Sequence, residues 1–499
     1  MTHITRRQFV GGSVAAGLGM ALAGCHESKG PVLSPSSRVL GANDEIRVAV
    51  VGINGRGGSH ISAFEEMEGV RVAAFCDVDR KVLDDKATAF EKKYGHAVDK
   101  YVDIRKLLED KNIDAISIAT PNHWHSLGTI WACQAGKDVY VEKPCSHNVF
   151  EGRKCVEAAR KYGRIVQHGT QSRSSKGWAR QVAAIASGKY GKLLVSKGAA
   201  SKNGSGRWSI GFKPITEPPA NLDYNLWLGP AQETPYHANL VHYNWHWFWS
   251  FGNGEIGNQG VHQMDIARWA IPGATLPRSV ISLGGRWVES TEGHPPFTDQ
   301  AQTPNCQLTI MDFGGPLLVF EVIGLVGREG ADGKKYPTNV GNEFYLEAGT
   351  IRGGKFYAKG SDQAEELAVP EPEMDTDHFG NFIRAMRSRK VADLNADIEQ
   401  GHLASACCHL GNISYRLGQQ VPGTTKPDVL GRHEEIGRSW DRILETVKGA
   451  IGLDVTKGTF QLGPMLTFDP AKEKFKGHRR APQLLTRAYR SPFVVPEQV

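Results

Sequence analysis

The sequence predicts an α/β protein in which an N-terminal Rossmann dinucleotide-binding domain precedes a C-terminal α+β domain with an open, mainly antiparallel sheet. Residues 45–170 alternate apolar strands with helical stretches over short connections, as a parallel sheet wound by helices requires. A glycine-rich turn, Gly52 to Gly58, follows the first of those strands. Past Thr170 several consecutive stretches alternate with period two, which predicts antiparallel strands with one face solvated or covered by a partner.

Composition agrees and excludes other classes. The 499 residues are enough for two or three domains, and 40% hydrophobic with 22% charged is an ordinary globular balance. The 57 Gly and 25 Pro follow no repeat, which rules out collagen-like and low-complexity chains. A formal charge of +6 names no partner, and no nucleic acid is expected.

Residues 1–24 read as an address. Thr5-Arg6-Arg7-Gln8-Phe9-Val10 resembles a twin-arginine export signal, and Leu22-Ala23-Gly24-Cys25 resembles a lipoprotein cleavage box in which Cys25 becomes the lipidated first residue. The apolar run from Phe9 to Gly24 is short and rich in small residues for a membrane span. Residues 25–44 form a tether. These features predict a periplasmic protein whose only membrane contact is the lipid at Cys25. Of the other cysteines, Cys76 and Cys133 sit in apolar segments, which predicts buried free thiols.

The dinucleotide domain spans residues 45–170. Ile46 to Val51 is an apolar strand running into Gly52-Ile53-Asn54-Gly55-Arg56-Gly57-Gly58 and then a helical stretch to about Glu68. Glycines let the backbone approach a pyrophosphate held at a helix N-terminus. Asn54 stands at the middle glycine position, where its tolerance of positive φ would preserve the turn. A second strand, Val70 to Cys76, ends in Asp77, placed to hydrogen-bond the adenosine ribose. Asp77 would repel a 2′-phosphate, so NAD is favoured over NADP, with Arg80 softening the preference. A third strand, Ala115 to Ala119, ends at Thr120-Pro121-Asn122, and a fourth, Asp138 to Val141, ends at Glu142-Lys143-Pro144. Both ends fall on the ligand side of such a sheet.

The glycine-rich turn, Thr120-Pro121-Asn122-His123-Trp124-His125 and above all Glu142-Lys143-Pro144 resemble the Gfo/Idh/MocA oxidoreductases, the glucose-fructose oxidoreductase and inositol dehydrogenase group. The resemblance spans Glu45 to about Gly418. It implies that Gly52, Asn54, Gly55, Arg56, Gly57, Asp77, Thr120, Pro121, Asn122, His125, Glu142 and Lys143 surround the nucleotide. It further implies that Lys143 reaches both nicotinamide and substrate hydroxyl, that a cis peptide precedes Pro144, and that the second domain assembles a homo-oligomer.

The second domain, residues 171–425, opens with a helix-like segment, Trp178 to Ser187. Strand-like stretches follow at Leu193 to Ala200, Val280 to Val288, Cys306 to Asp312, Leu317 to Ile323 and Asn342 to Ala348. Between them lies His242-Tyr243-Asn244-Trp245-His246-Trp247-Phe248-Trp249-Ser250-Phe251. If extended, its three tryptophans share one face, suited either to sugar rings or to a core or interface strand. No acid or cysteine completes a metal site with His242 and His246, so no metal is expected. His262, Asp265 and Trp269 fall at helical spacing. The family pattern here is an acid, then Gly, His and Asp; Gly260, His262 and Asp265 match it, while Asn258 replaces the acid and can only orient by hydrogen bonds. Helical patterns at Asp377 to Arg389 and Asp397 to Leu417 are implied to pack back on the dinucleotide domain, with His378 either bordering the cleft or capping a helix. Residues 426–499 form an extension with apolar anchors but no chemical motif.

Alcohol oxidation needs a hydride acceptor, a base and stabilisation of the developing alkoxide. NAD, His262 and Lys143 would supply them, since unperturbed imidazole titrates near ambient pH and a lysine cation stabilises alkoxide charge. Trp245, His246 and Asp265 complete the expected substrate side. The expected function is hydride transfer between a carbohydrate or cyclitol hydroxyl and a tightly bound nicotinamide, possible as a redox-neutral cycle outside the cytoplasm. Cleavage of a glycoside by oxidation, elimination and reduction, and noncatalytic sugar sensing, stay open as alternatives.

Overall fold

The computed structural model describes residues 45–204 and 206–499; the expected export signal, Cys25 and tether lie outside them. The first sheet is six-stranded and parallel in the order β3-β2-β1-β4-β5-β6. Its elements run β1 (Ile46–Val51), α1 (Gly57–Glu65), β2 (Val70–Cys76), α2 (Arg80–Tyr94), β3 (Asp99–Tyr101), α3 (Ile104–Glu109), β4 (Ala115–Ile118), α4 (Asn122–Gln134), β5 (Asp138–Val141), α5 (Val149–Lys161) and β6 (Val166–His168). The strands expected third and fourth are therefore β4 and β5. The periodicity missed β3, a partly exposed edge strand of three residues with no apolar run. Strands β1, β4 and β5 are buried almost throughout, as a sheet covered on both faces demands.

The second sheet has twelve strands, ordered β14-β13-β12-β11-β7-β10-β9-β8-β16-β15, with β17 on β8 and β18 on β17. Its elements are α6 (Lys176–Ala186), β7 (Leu193–Ser201), α7 (Tyr224–Leu228), α8 (Gly254–Asn258), α9 (Gly260–Trp269), β8 (Ser279–Gly285), β9 (Cys306–Asp312), β10 (Leu317–Ile323), β11 (Asn339–Leu346), β12 (Gly349–Arg352), β13 (Lys355–Ala358), β14 (Ala364–Glu366), α10 (His378–Ser388), α11 (Ile398–Arg416), β15 (Gln419–Pro422), α12 (Glu434–Ile451), β16 (Thr459–Leu462), β17 (Leu466–Asp469) and β18 (Lys474–Lys476). Only β7 and β10 pair in parallel.

The face expected to be solvated or covered by a partner is covered at the sheet's centre by this chain itself. Strands β9 and β10 are buried on both faces. One face packs on α9 and α11 through Met264, Ala404 and Cys408. The other is covered by the C-terminal extension, whose α12 lays Ile436, Trp440, Ile443 and Val447 against Leu308, Ile310 and Val319. Such side chains contribute roughly 1.5–3 kcal/mol each when fully buried. His433 caps α12 at its start, Glu434 and Glu435 occupy its first turn, and Gly452 ends it at φ 75°. Between α12 and the sheet lies an ion network: buried Lys197 reaches Glu435 at 2.6 Å and Glu321 at 3.7 Å, and Arg442 reaches Glu321 at 2.6 Å.

Both expected helices near the end of the second domain pack back on the first. From α10, Phe382, Ile383 and Met386 join the core of β1 and β2. Helix α11 packs along α5. The extension also returns, placing Phe493, Val495 and Val499 in the core beneath α4, with Phe493 5.5 Å from Trp124. All seven described cysteines are buried free thiols. No described helix is long and apolar enough to cross a membrane.

Candidate active site

A cleft of about 430 Å³ runs along the C-terminal ends of β1, β2, β4 and β5, where the strand order reverses between β1 and β4. Gly52 has φ 80°, and a Cβ there would lie 2.8 Å from the Ala119 carbonyl carbon; one on Gly57 would lie 2.0 Å from the Gly52 oxygen. Gly55 has open space where its Cβ would be. Helix α1 starts without a side-chain cap, its Gly58 and Ser59 amides turning back to the Gly55 and Arg56 oxygens, so its positive end faces the cleft without a capping side chain. Asn54 needs no left-handed backbone, because the described non-glycine residues with positive φ are Phe297, Arg389 and Glu473. Its side chain is tolerated for that simpler reason.

Asp77 sits at the end of β2, accepting from the Ile53 and Asp79 amides at 3.0 Å each. Burial pushes its carboxyl up, opposed by those two amides. Arg80 turns to solvent, and His242 approaches Asp79 at 3.2 Å. Thr120 and Pro121 line the cleft, and Thr120 Oγ1 is buried with no partner. A glycine cradle, an uncapped helix start, an acid at the ribose position and an orphaned hydroxyl fit NAD.

Several residues assigned to the nucleotide line the cleft and also tie its walls together. His125 places Nε2 2.7 Å from the Thr120 oxygen and Nδ1 2.6 Å from the Pro144 oxygen, so it joins two strand-end loops. Asn122 donates to Asn253 Oδ1 at 3.1 Å, a bond between the two domains. Glu142 takes Arg56 Nε at 2.8 Å and His60 Nε2 at 3.1 Å on one oxygen, and the Lys143 amide at 3.1 Å on the other. Burial alone would raise the Glu142 carboxyl, but the hydrogen bond and charge of His60, with Lys143 and Arg56, hold it well below the usual range.

Lys143, followed by a cis bond to Pro144, extends Nζ to the backbone carbonyl of Asn258 at 3.0 Å. Asn258 therefore contributes its carbonyl to this contact, not the side-chain amide expected to orient substrate. Burial pushes the Lys143 ammonium down, and Glu142 and Glu255 work against that. His262 follows on α9, but burial and the Lys143 charge push its imidazole down to about 3. That lies below the ambient pH expected of an unperturbed imidazole, and His262 is not among the residues that line the cleft.

The expected substrate residues separate. Residues 244–247 form one turn of 3₁₀ helix, so the tryptophans share no extended face. Trp245 lines the cleft, whereas Trp247 is fully buried. His246 is also fully buried, its Nδ1 on the Tyr243 oxygen at 2.8 Å, with its imidazole pushed to about 3 by burial. Asp265 is buried in a two-toothed pair with Arg173, at 2.7 and 2.9 Å, and braces α9 instead of meeting substrate. His378 is buried at the first turn of α10 with Nδ1 3.1 Å from Ser174 Oγ, while Asp377 caps the helix.

Sequence reasoning missed Leu222, Leu226, Trp227, His242 and Tyr243, which close the cleft from the second domain. It also missed Glu255, one helical turn before Asn258 and fully enclosed. Its Oε1 accepts from Arg207 at 2.6 Å and its Oε2 has no partner. An acid at that spacing was visible in the sequence, but nothing there named Arg207 as its anchor.

The family model described as the oxidoreductase family, NAD-binding Rossmann fold, matches residues 46–170, and that for the oxidoreductase family C-terminal α/β domain matches residues 203–280. Residues 46–170 and 203–280 are thus similar to the two domains of the Gfo/Idh/MocA oxidoreductase family. A glycosyl hydrolase family 109 protein of Shewanella baltica is 32% identical over 172 residues, 32% of this chain and 38% of that protein. An α-N-acetylgalactosaminidase of Shewanella oneidensis is 31% identical over the same length and shares. The match thus spans under half of these curated relatives. Among solved structures, the WlbA dehydrogenase of Bordetella pertussis, in complex with NADH and UDP-GlcNAcA, is similar at TM-score 0.52 and 20% identity, covering 74% of this chain and 97% of that one. Levoglucosan dehydrogenase, in complex with NADH and levoglucosan, gives 0.51 and 16%, covering 73% and 95%. At these identities the Gfo/Idh/MocA likeness is one of fold.

Proposed function

We propose that this protein is a Gfo/Idh/MocA NAD-dependent oxidoreductase that moves a hydride between a carbohydrate or cyclitol hydroxyl and a tightly bound nicotinamide. The observation that carries it is the Lys143 amine, held on the Asn258 carbonyl where the dinucleotide cleft meets the second domain. Bound NAD would supply the hydride acceptor and donor. Gly52, Gly55, the start of α1, Asp77 and Thr120 would hold it.

The proton assignment differs from the simplest one. Burial and the Lys143 charge push the His262 imidazole down, which favours a hydrogen-bonding role over that of the resting proton acceptor. Lys143, pushed toward neutrality by burial, takes the hydroxyl proton at Nζ, and the carboxylates of Glu142 and Glu255 stabilise the ammonium that results. The complexes of WlbA dehydrogenase and levoglucosan dehydrogenase with NADH and sugar ligands support the substrate class. The names of the Shewanella relatives favour a second reading, in which transient oxidation serves glycoside cleavage.

Export by the twin-arginine route, lipid attachment at Cys25 and assembly into a homo-oligomer belong to the same proposal. Arg6→Lys with Arg7→Lys should retain the protein in the cytoplasm, and mass spectrometry of the mature N-terminus should find a lipid on Cys25. Light scattering should give more than one chain per particle. The central test is purified protein mixed with a panel of sugars and glycosides while the nicotinamide absorbance band is followed. Reduction of bound NAD by at least one sugar is expected; a cofactor that no sugar reduces would favour sensing.

A further inference from the structure

A second cleft, of about 280 Å³, opens at the other end of α8: Asn258, the last residue of that helix, lines the cofactor cleft, while Asn253, its N-cap, lines this one. Its remaining walls come from the start of α5, the second half of α11 and residues 483–488 of the C-terminal extension. The charged and titratable lining residues are Arg416, Arg487, His147 and His409, with no Asp or Glu among the described lining. Arg416 lies over the Trp249 ring at 5.0 Å and has no carboxylate partner among the described residues. Arg487 is anchored from behind by Glu151 at 3.2 Å and the Ser250 oxygen at 2.9 Å. Both ring nitrogens of His147, and Nδ1 of His409, are buried with no partner. Buried polar atoms left unpaired are costly, so their accumulation in one cavity marks a place where something else supplies the partners.

We propose that this cleft is a second carbohydrate site, taking one sugar unit that carries a carboxylate. The carbohydrate class rests on the function proposed above. The tryptophan, the amides of Asn253, Asn412 and Gln483, and the unpartnered imidazoles supply the apolar face and the mixed donors and acceptors that a pyranose presents. Arg416, without a carboxylate partner among the described residues, supplies the charge, while Arg487 is already paired with Glu151. A volume at the small end for ligand sites suits a single ring. Burial, with Arg487 and His409, pushes His147 well below its ordinary value, so it meets hydroxyls as neutral imidazole.

The site is also wired to the first cleft. Asn253 accepts from Asn122 at 3.1 Å, donates to the His147 oxygen at 2.9 Å and receives Asn412 on its own carbonyl at 2.8 Å. Asn253 of the second cleft is therefore bonded directly to Asn122 of the first, as expected of a subsite that reads a neighbouring unit of a longer glycan.

The test is calorimetric titration of the full-length NAD-bound protein with D-glucuronate, D-glucose and acetate. Glucuronate should bind, with glucose and acetate each about tenfold weaker or more. Arg416→Ala should weaken glucuronate by about tenfold, Arg416→Lys by less, and Lys143→Ala not at all. Unchanged affinity in Arg416→Ala, loss in Lys143→Ala, or acetate binding as tightly as glucuronate would each overturn the proposal. Failure of every sugar to reduce the cofactor would sink the oxidoreductase reading while leaving this titration intact.

Discussion

Lys143 and Lys197 both leave bulk water at β-strands of the same chain, yet their surroundings are opposite. Lys197, on β7, meets Glu435 at 2.6 Å and Glu321 at 3.7 Å, and the arginines around that network complete its pairing. Lys143, past the end of β5, meets only a backbone carbonyl at hydrogen-bond distance, with its two nearest carboxylates committed to other groups. A fully paired charge is a brace; a charge held near carboxylates without touching them keeps its proton negotiable. The difference separates structure from chemistry more sharply than burial does.

That contrast can be broken most directly at Lys143. Lys143→Ala should lower hydride transfer by about a thousandfold or more while bound NAD is retained, read by single-turnover absorbance and by the nucleotide released on denaturation. Retained turnover would remove Lys143 from the chemistry. Lys197→Ala should do the reverse: stability should fall by about 3–5 kcal/mol in denaturant melts, because Glu321 and Glu435 lose a buried partner, with NAD affinity unchanged. An NAD-binding defect at unchanged stability would show that the two lysines are not so different.

The buried histidines extend the same logic to pH. His123, His168, His246 and His262 are all pushed to about 3, chiefly by burial. The unfolded chain takes up their protons near pH 6.5 while the folded chain does not, so stability should fall as pH drops below 6.5 toward 3. His168→Gln should flatten that fall by about 1 kcal/mol per pH unit. A melt series from pH 7 to 5 that is equally steep in wild type and variant would contradict this. The smallest expected effect is at Glu255. Because its carboxylate favours the Lys143 ammonium, Glu255→Gln should move the Lys143 limb of the pH-rate profile to lower pH by about one unit, and a limb that stays put or rises would detach Glu255 from the site.

The dinucleotide half was legible because its signals are local. Strand, glycine turn, helix and acid follow one another within a short stretch, and Gly57 answers to the Gly52 carbonyl in the same turn, although Gly52 itself answers to Ala119 at the end of β4. The second half was less so. Asp265 and His246 carry the right chemistry at plausible spacings, but Arg173, distant in sequence, claims the first and burial claims the second. The tryptophan run was open to an extended reading because alternation cannot distinguish a strand from a single tight turn. Glu255 stayed hidden for the same reason as the role of α12: its meaning depends on Arg207 and on a sheet face that only the fold brings near.

Phe493, Val495 and Val499 sit in the core of the domain that begins at Ile46. The order of synthesis and the order of completion are therefore reversed. The nucleotide domain leaves the ribosome first, yet the part of its α4 flank around Trp124 and Trp131 is completed only by Phe493, more than three hundred positions later. Contacts of such span are slow to form and leave apolar surface exposed meanwhile. A nascent chain of this kind gains from a chaperone, or from early capture of its own nucleotide, until the last strand of sequence closes the first domain.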